Sequence, residues 1–368
     1  MLNKFKYIYV IAKRECNYYR NLLLLQKANI EITNFCNLHC IMCKLGREKS
    51  FSQNELTLQE WKELLDSLLQ LGVRWINFIG AEPLVRKDDV IEMASYLSRR
   101  GVYQKLSTNG TLIDLHLAVR IVELFDEIAI SLDAPNEKHD KIRGQDSIFK
   151  LACEGIRMIE EARNMKKLKS PTINIHTTIF NANYDMIEEM VDKAEELGVD
   201  IISLQFVSQN SSESFFNTKY NGKIIASDRY IVEPNTLLLD EKQLFVLKQQ
   251  LHRIQIKARR IKVIVKPLSN FSNDVFLKGE FPIHRCYITR DRVIISPQGE
   301  VNVCSHLSYS LGNIRDDPLD KIWGNSRHLQ LVNSLKKELF PICIACCHFS
   351  ANFTPFQYCR LNFYLPLK

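Results

Sequence analysis

The sequence predicts an α/β fold: a partial (β/α)6 TIM-like barrel followed by a small C-terminal domain made of a β-hairpin and a helix. Between residues 28 and 262, six short β-branched runs alternate with longer amphipathic segments, which is typical of βαβ units and a parallel sheet. Further along, a Pro-Gln-Gly turn at 297–299 separates two apolar runs, which predicts a β-hairpin. Six repeats rather than eight make the barrel partial.

The six predicted strands are short and rich in β-branched residues: 29–33, 75–80, 104–108, 127–132, 172–178 and 200–207. Amphipathic spacing predicts helices between them, for example at 56–71 and 185–197. A stretch rich in Ser, Asn and Gly at 208–230 predicts a loop that can cover the barrel mouth. Basic residues follow in a predicted helix at 239–261, and another helix is predicted at 319–336. In parallel barrels, functional side chains lie at the carboxyl ends of the strands.

Composition and pattern divide the 368 residues into an N-terminal extension (1–27), the barrel (28–262) and the C-terminal domain (263–368). The net charge of +7 is too diffuse to indicate nucleic acid. The basic and apolar extension predicts either peripheral contact with an anionic membrane or a helix packed on the barrel. We find neither a signal peptide nor a run of about 20 apolar residues, so we expect a cytoplasmic protein.

Three cysteines, Cys36, Cys40 and Cys43, follow the first predicted strand with C-x-x-x-C-x-x-C spacing. Three thiolates from one loop can hold three irons of a [4Fe–4S] cluster and leave the fourth iron open to another ligand. A zinc loop with His39 as a fourth ligand is the alternative.

This motif resembles that of the radical S-adenosylmethionine (radical SAM) superfamily. The resemblance implies that the open iron chelates the amino and carboxylate groups of SAM. An electron from the cluster then cleaves SAM to a 5′-deoxyadenosyl radical. Many members carry an aromatic residue before the third cysteine to pack on adenine, where this chain has Met42.

Small residues end the second predicted strand. Gly80-Ala81-Glu82 resembles the Gly-Gly-Glu motif of the superfamily, whose backbone and acidic residue receive the SAM amino group. Ala81 replaces the second glycine. Asn109 lies in the polar cap after the third strand, which is also readily explained as a helix N-cap and turn.

Ser131 and Asp133 end the fourth predicted strand, and Arg143 follows in the run His139-Asp-Lys-Ile-Arg-Gly. This order resembles the fourth-strand region of radical SAM enzymes with SPASM or Twitch domains, where the serine and arginine fix the SAM carboxylate and ribose. A guanidinium suits this task because it can donate two parallel hydrogen bonds to a carboxylate. A buried Asp133 and a surface Arg143 without a ligand are the alternative.

Six of the eleven cysteines lie after Pro282. Four of them, Cys286, Cys304, Cys343 and Cys346, flank the predicted hairpin and form a C-x-x-C, enough thiolates to saturate one cubane. The arrangement resembles the Twitch domain, a shortened SPASM domain that holds an auxiliary cluster. Cys347 and Cys359 are possible substitutes for one of these ligands, and a zinc ribbon is the alternative metal site.

The resemblance implies a radical SAM oxidoreductase that uses SAM and two [4Fe–4S] clusters, with a flavodoxin- or ferredoxin-type reductant. We expect it to abstract a hydrogen atom in a two-electron oxidation of a small molecule such as an aminocyclitol, a nucleoside or a lipid-like compound. Modification of a peptide or protein is the alternative substrate class. A non-catalytic iron–sulfur electron carrier is an alternative of another kind. The sequence does not assign the substrate or a general base.

Overall fold

The computed structural model describes residues 2–45, 54–230, 237–265 and 271–354. Their strands are β1 Lys27–Glu31, β2 Trp75–Ile79, β3 Tyr103–Thr108, β4 Glu127–Ser131, β5 Thr172–Ile179, β6 Ile201–Phe206, β7 Lys219–Tyr220, β8 Lys223–Ile224, β9 Lys262–Val265, β10 Arg292–Ile295 and β11 Val301–Asn302. Their α-helices are α1 Leu2–Tyr19, α2 Leu58–Gln70, α3 Lys87–Leu97, α4 Leu115–Leu124, α5 Lys138–Arg143, α6 Ile148–Met165, α7 Ile187–Glu196, α8 Ser212–Asn217, α9 Glu241–Ile256, α10 Asn273–Lys278, α11 Leu319–Ile322 and α12 Ser326–Lys337.

One sheet organises the fold, with the strand order β11-β10-β1-β2-β3-β4-β5-β6-β9. Strands β1 to β6 are parallel neighbours in chain order, as βαβ units require. The six predicted strands are therefore confirmed, each within two residues at either end. Apolar residues on one face of these strands, including Ile30, Phe78, Leu106 and Ile130, are fully buried in the main core.

The predicted α/β fold with a partial barrel is confirmed, but among the described residues the sheet contains nine strands where six were predicted. Strand β9 pairs in parallel with β6, and β10 pairs in parallel with β1. An unpaired edge strand would expose backbone donors and acceptors. Here β9 and β10 pair with the two outer strands of the six, β6 and β1, and satisfy these groups. The predicted hairpin is present, because β11 is antiparallel to β10, but it continues the barrel sheet. The boundary proposed after residue 262 falls inside β9.

Caps set the ends of the helices. Thr57 and Glu60 form a capping box that starts α2, and Asp240 and Gln243 form another that starts α9. Helix α9 ends at Ile256, before the predicted 261, because the chain must turn before β9. The helix predicted at 319–336 is two helices, since Asn325 caps α12 by accepting from the His328 N–H.

The predicted loop at 208–230 contains α8 and the two-residue strands β7 and β8. It is fastened to the C-terminal segment by backbone hydrogen bonds, from Ser227 N to His306 O at 2.9 Å and from Ser308 N to Ile225 O at 2.8 Å. The segment that follows β6 is therefore part of the packed structure around the second cysteine set.

Helix α1 packs on the C-terminal segment. Arg14 donates through Nε to Asp291 Oδ2 at 2.7 Å, and the Tyr18 ring meets Tyr287 edge-on with centroids 5.2 Å apart. No α-helix in the described ranges is long and apolar enough to cross a bilayer. Membrane contact and a cytoplasmic location stay predictions.

Candidate functional site

Three half-buried thiols follow β1 in one loop: Cys36, Cys40 and Cys43. Burial raises the pKa of Cys36 to about 12, while the Leu38 N–H donates to its Sγ at 3.3 Å and opposes the shift. The two other cysteines raise the pKa of Cys36 further, so the three thiols are close enough to influence one another's charge. Three thiolates at such a distance repel one another, and a bound cationic centre offsets this electrostatic repulsion.

The start of this loop is held by a residue distant in sequence. Glu55 Oε1 accepts from Thr33 Oγ1 at 2.8 Å and from Asn34 N at 2.9 Å. Arg86 in turn donates to Glu55 Oε2 at 3.3 Å and to the Ile32 carbonyl at 3.2 Å. Sequence reasoning missed Glu55 and Arg86, because neither belongs to a motif and their function appears only when the strand ends meet.

The other side of the loop lies against the C-terminal end of α5. His39 N donates to Arg143 O at 3.1 Å, and Ile41 N donates to Ile142 O at 3.0 Å. Gly144 has φ +74°, and a Cβ there would lie 2.4 Å from the His39 carbonyl oxygen. Only glycine therefore lets α5 approach the cysteine loop this closely.

The Gly80-Ala81-Glu82 segment runs along the same loop. Ala81 N donates to Thr33 O at 3.0 Å, and Glu82 N donates to Phe35 O at 3.1 Å. Gly80 has φ +153°, and a Cβ there would lie 3.0 Å from the Thr33 carbonyl oxygen. The backbone of this segment is thereby placed beside the start of the cysteine loop, next to Cys36.

The Glu82 carboxylate is buried and joins two strand ends. It accepts from Thr108 Oγ1 at 2.6 Å, from Asn109 N at 2.8 Å and from Leu84 N at 3.0 Å. Burial raises the pKa of Glu82, and these hydrogen bonds oppose the shift. The Asn109 side chain extends the link by donating to Asn37 Oδ1 in the cysteine loop at 2.8 Å.

Asp133, Arg143 and Cys40 form a contiguous polar group. Arg143 Nη2 lies 2.6 Å from Asp133 Oδ2, and Arg143 Nη1 donates to Cys40 Sγ at 3.6 Å. The Asp133 side chain is fully buried and also accepts from Thr178 N at 2.8 Å. Burial raises the pKa of Asp133, and the guanidinium opposes that shift. Burial lowers the pKa of Arg143, but the Asp133 carboxylate and Cys40 outweigh it and raise the pKa overall. Arg143 is therefore neither on the surface nor far from the cysteines.

The other residues that were predicted to contact SAM, Ser131 and Met42, and the neighbouring His139 have the following environments. Ser131 ends β4 half-exposed, in register with His176 of β5. His139 Nδ1 accepts from Asp133 N at 3.0 Å, and burial lowers its pKa well below the usual value, so the ring is neutral with its proton on Nε2. Met42 is half-buried against the apolar core.

A second group of thiols lies in the C-terminal segment. Cys286 and Cys346 are buried, and Cys304 and Cys343 are half-buried. Burial raises the pKa of all four, to about 12 for Cys343, and Cys286 further raises the pKa of the other three, Cys304, Cys343 and Cys346. The four thiols predicted from the sequence are thus gathered in one place.

A fifth thiol, Cys347, belongs to the same group, since it raises the pKa of both Cys304 and Cys346. Its backbone N–H donates to His306 Nε2 at 3.3 Å, and burial lowers the pKa of that histidine to about 4. Cys359, the other predicted substitute, lies outside the described residues.

The donor chemistry fits iron–sulfur clusters. Within the described ranges, no three His, Cys, Asp or Glu side chains are close enough together to hold a single metal ion. Three thiols in the loop after β1 and a larger set of thiols in the C-terminal segment are the donor type and number that two [4Fe–4S] clusters use, the first of them with one iron open to another ligand.

Two family models match the chain. Residues 30–194 match the radical SAM superfamily, and residues 286–347 match the SPASM iron–sulfur cluster-binding domain. The first match contains the cysteine loop and the strand ends around it, and the second contains all five thiols of the second group.

Among similar proteins is an AdoMet-dependent heme synthase of Methanosarcina barkeri, 27% identical over 80% of this chain and 81% of that protein. A PqqA peptide cyclase of Granulibacter bethesdensis is 28% identical over 48% of this chain and 46% of that protein. The fold is shared with Streptococcus suis SuiB bound to the precursor peptide SuiA, with a TM-score of 0.61, 16% identity and coverage of 94% of this chain and 77% of that one.

SAM and two [4Fe–4S] clusters are the cofactors that these two domains imply. The thiol groups and the two matches agree on the class of protein: the chain is a radical SAM enzyme with a C-terminal SPASM-like auxiliary iron–sulfur domain.

Proposed function

We propose that the enzyme cleaves SAM reductively to generate a 5′-deoxyadenosyl radical and uses it to remove a hydrogen atom from a peptide or protein substrate. The observation that carries the first part is the convergence of the Cys36, Cys40 and Cys43 loop with the ends of β2, β3 and β4. The cluster that Cys36, Cys40 and Cys43 would hold would supply the electron for cleavage, and a flavodoxin- or ferredoxin-type protein would provide that electron.

Within this proposal, Cys36, Cys40 and Cys43 hold the SAM-binding cluster. The backbone of Gly80 and Ala81 lies beside the start of this loop and receives the SAM amino group, while Glu82 holds the ends of β2 and β3 in position. Asn109 links the β3 end to the cysteine loop. Ser131, Asp133 and Arg143 bind the carboxylate and ribose of SAM in this proposal. Met42 packs on the adenine.

The four thiols Cys286, Cys304, Cys343 and Cys346 hold the auxiliary cluster. A two-electron oxidation removes one hydrogen atom to the 5′-deoxyadenosyl radical, then one proton and one electron from the substrate radical. A fully thiolate-ligated cluster has no open iron for substrate, which suits it to accept that electron. This is the oxidoreductase part of the proposal.

A polar barrel interior supports a peptide substrate. Closed parallel barrels are usually filled by Val, Ile and Leu. Here the interior face carries amide, hydroxyl and charged side chains that bond across neighbouring strands: Ser107 to Asn77, Lys105 to Glu127, Asn174 to Glu127, and Ser203 to Asn174. Amide and hydroxyl groups complement the donors and acceptors of a peptide backbone. The similarity to a PqqA peptide cyclase agrees with this class.

The small-molecule interpretation based on aminocyclitols, nucleosides or lipids finds less support among the similar proteins than the peptide alternative. One other substrate class is favoured by a specific observation. The similarity to a heme synthase covers 80% of the chain, which makes a carboxylated porphyrin the second candidate.

The test is anaerobic incubation of the reconstituted enzyme with SAM and dithionite, measuring 5′-deoxyadenosine. Peptides and a carboxylated iron porphyrin are added in separate reactions. The compound that increases 5′-deoxyadenosine formation and whose own mass changes identifies the substrate class. No 5′-deoxyadenosine under any condition would leave an electron carrier as the better interpretation.

A further inference from the structure

The Arg143 guanidinium lies between a buried carboxylate and a cysteine that the proposed function assigns to the SAM-binding cluster. Nη2 is 2.6 Å from Asp133 Oδ2, and Nη1 donates to Cys40 Sγ at 3.6 Å. The third nitrogen, Nε, is buried and has no hydrogen-bond partner among the described residues. One donor therefore remains for the SAM carboxylate, while another is already committed to sulfur.

Asp133 fixes the position of this cation. Its side chain is fully buried, its Oδ1 accepts from Thr178 N at 2.8 Å, and its backbone N–H donates to His139 at 3.0 Å. The Asn183 side chain donates to its carbonyl at 2.7 Å. A carboxylate held by contacts from β5 and α5 cannot swing away, so Arg143 is held against Cys40.

We propose that Arg143, positioned by Asp133, sets the reduction potential of the SAM-binding cluster through its hydrogen bond to the Cys40 thiolate. The inference rests on the proposed function, since it requires Cys40 to be a cluster ligand. Hydrogen bonds to cluster sulfurs and nearby charges are among the factors that set such potentials. A cation beside a thiolate favours the reduced cluster, which carries one more negative charge, and so raises the potential.

Substitutions of Asp133 and Arg143 should change the reduction potential of the cluster in opposite directions. Asp133→Asn keeps a side-chain oxygen that can accept from Arg143 and hold it beside Cys40, but removes the negative charge that offsets the guanidinium, so the potential should rise. Arg143→Met removes the cation and the hydrogen bond, so the potential should fall. A purely structural function of this pair predicts no such opposition of sign.

The experiment is a redox titration of the reconstituted holoenzyme, followed by the electron paramagnetic resonance signal of the SAM-binding cluster without SAM. Because Arg143→Met leaves Asp133 buried without its partner, the double variant Arg143→Met/Asp133→Asn serves as a second measurement. Its potential should lie below that of wild type.

Arg163→Met is the matched control. Arg163 is a comparably buried arginine near the end of α6 that contacts Asp200 and the Pro171 carbonyl, and none of its observed contacts in the described ranges is with a cysteine sulfur. The potential of Arg163→Met should equal that of wild type.

Unchanged potentials in Asp133→Asn and in the double variant would overturn the inference, and so would shifts of the same sign in both. If wild type shows no reducible cluster that depends on Cys36, Cys40 and Cys43, the proposed function itself fails. This result differs from unchanged potentials of an intact cluster, which would refute only the inference about Arg143.

Discussion

The Thr108 hydroxyl donates to Glu82 Oε1 at 2.6 Å and joins the carboxyl ends of β3 and β2 beneath the cysteine loop. Glu82→Ala leaves this donor and the backbone N–H groups of Leu84 and Asn109 buried without an acceptor. We expect a loss of about 2–3 kcal/mol in the free energy of unfolding, measured by urea denaturation. The exposed Glu92→Ala should change it by less than about 0.5 kcal/mol. Equal stability of the two variants would contradict the bracing function.

Replacing Cys36, Cys40 and Cys43 together by alanine should remove about half of the iron, from about eight to about four atoms per chain, because each cubane holds four. SAM cleavage should be abolished. Iron analysis and 5′-deoxyadenosine formation measure the two effects. Cys16→Ala, at an exposed position in α1, should change neither. Full iron content in the triple variant would refute the cluster assignment.

A variant with Cys343→Ala and Cys346→Ala should still cleave SAM, because the loop after β1 is untouched, but should not release oxidised product. Chromatography of 5′-deoxyadenosine and mass spectrometry of the substrate separate the two results. Normal product from this variant would make the auxiliary cluster structural. A redox-neutral product from wild type would exclude the oxidase interpretation.

Five thiols lie together in the C-terminal segment, whereas one [4Fe–4S] cluster needs four ligands. Cys346 is influenced by the four others, Cys286, Cys304, Cys343 and Cys347, and is itself buried. Cys346→Ala should therefore lose about half of the iron, while Cys347→Ala should keep it. The reverse pattern in iron analysis would place Cys347 among the ligands and remove Cys346.

His328 is fully buried, accepts from Gly324 N at 3.2 Å through Nδ1 and donates through Nε2 to Thr289 O at 2.7 Å. Burial lowers its pKa from 6.5 to about 4, the Thr289 hydrogen bond opposes the shift, and Arg290 adds to it. Between pH 6.5 and about 4, His328 binds a proton more readily in the unfolded chain than in the folded one. The contribution of the neutral, buried His328 to the free energy of unfolding is therefore complete above pH 6.5 and is lost as the pH falls towards 4.

His328→Gln should thus make the free energy of unfolding less dependent on pH between 7 and 5. The difference from wild type should approach 1.4 kcal/mol per pH unit at most. Denaturant unfolding of wild type and variant at several pH values provides the measurement. The exposed His252→Gln on α9 should behave like wild type, and parallel curves for all three proteins would refute the prediction.

Local sequence patterns were sufficient for the elements that form by local rules. The six strands follow from β-branched runs between amphipathic segments, and α2 follows from the apolar residues at helical spacing in 56–71. The break between α11 and α12 was missed because Asn325 acts as a cap only when its side chain turns to the His328 N–H. The extra strands β9 and β10 were missed as barrel strands because pairing with β6 and β1 is a contact between distant segments.

The sequence by itself determined the radical SAM class, because the type and spacing of the three cysteines after β1 are local properties of the chain, and it predicted both cysteine sets. Only the tertiary structure decided that Arg143 bonds Asp133 and Cys40, that Glu82 braces two strand ends and that Glu55 holds the cysteine loop. The physical reason is that burial and hydrogen-bond partners are set by packing between elements that lie far apart in the chain, and one spacing motif is compatible with many such environments.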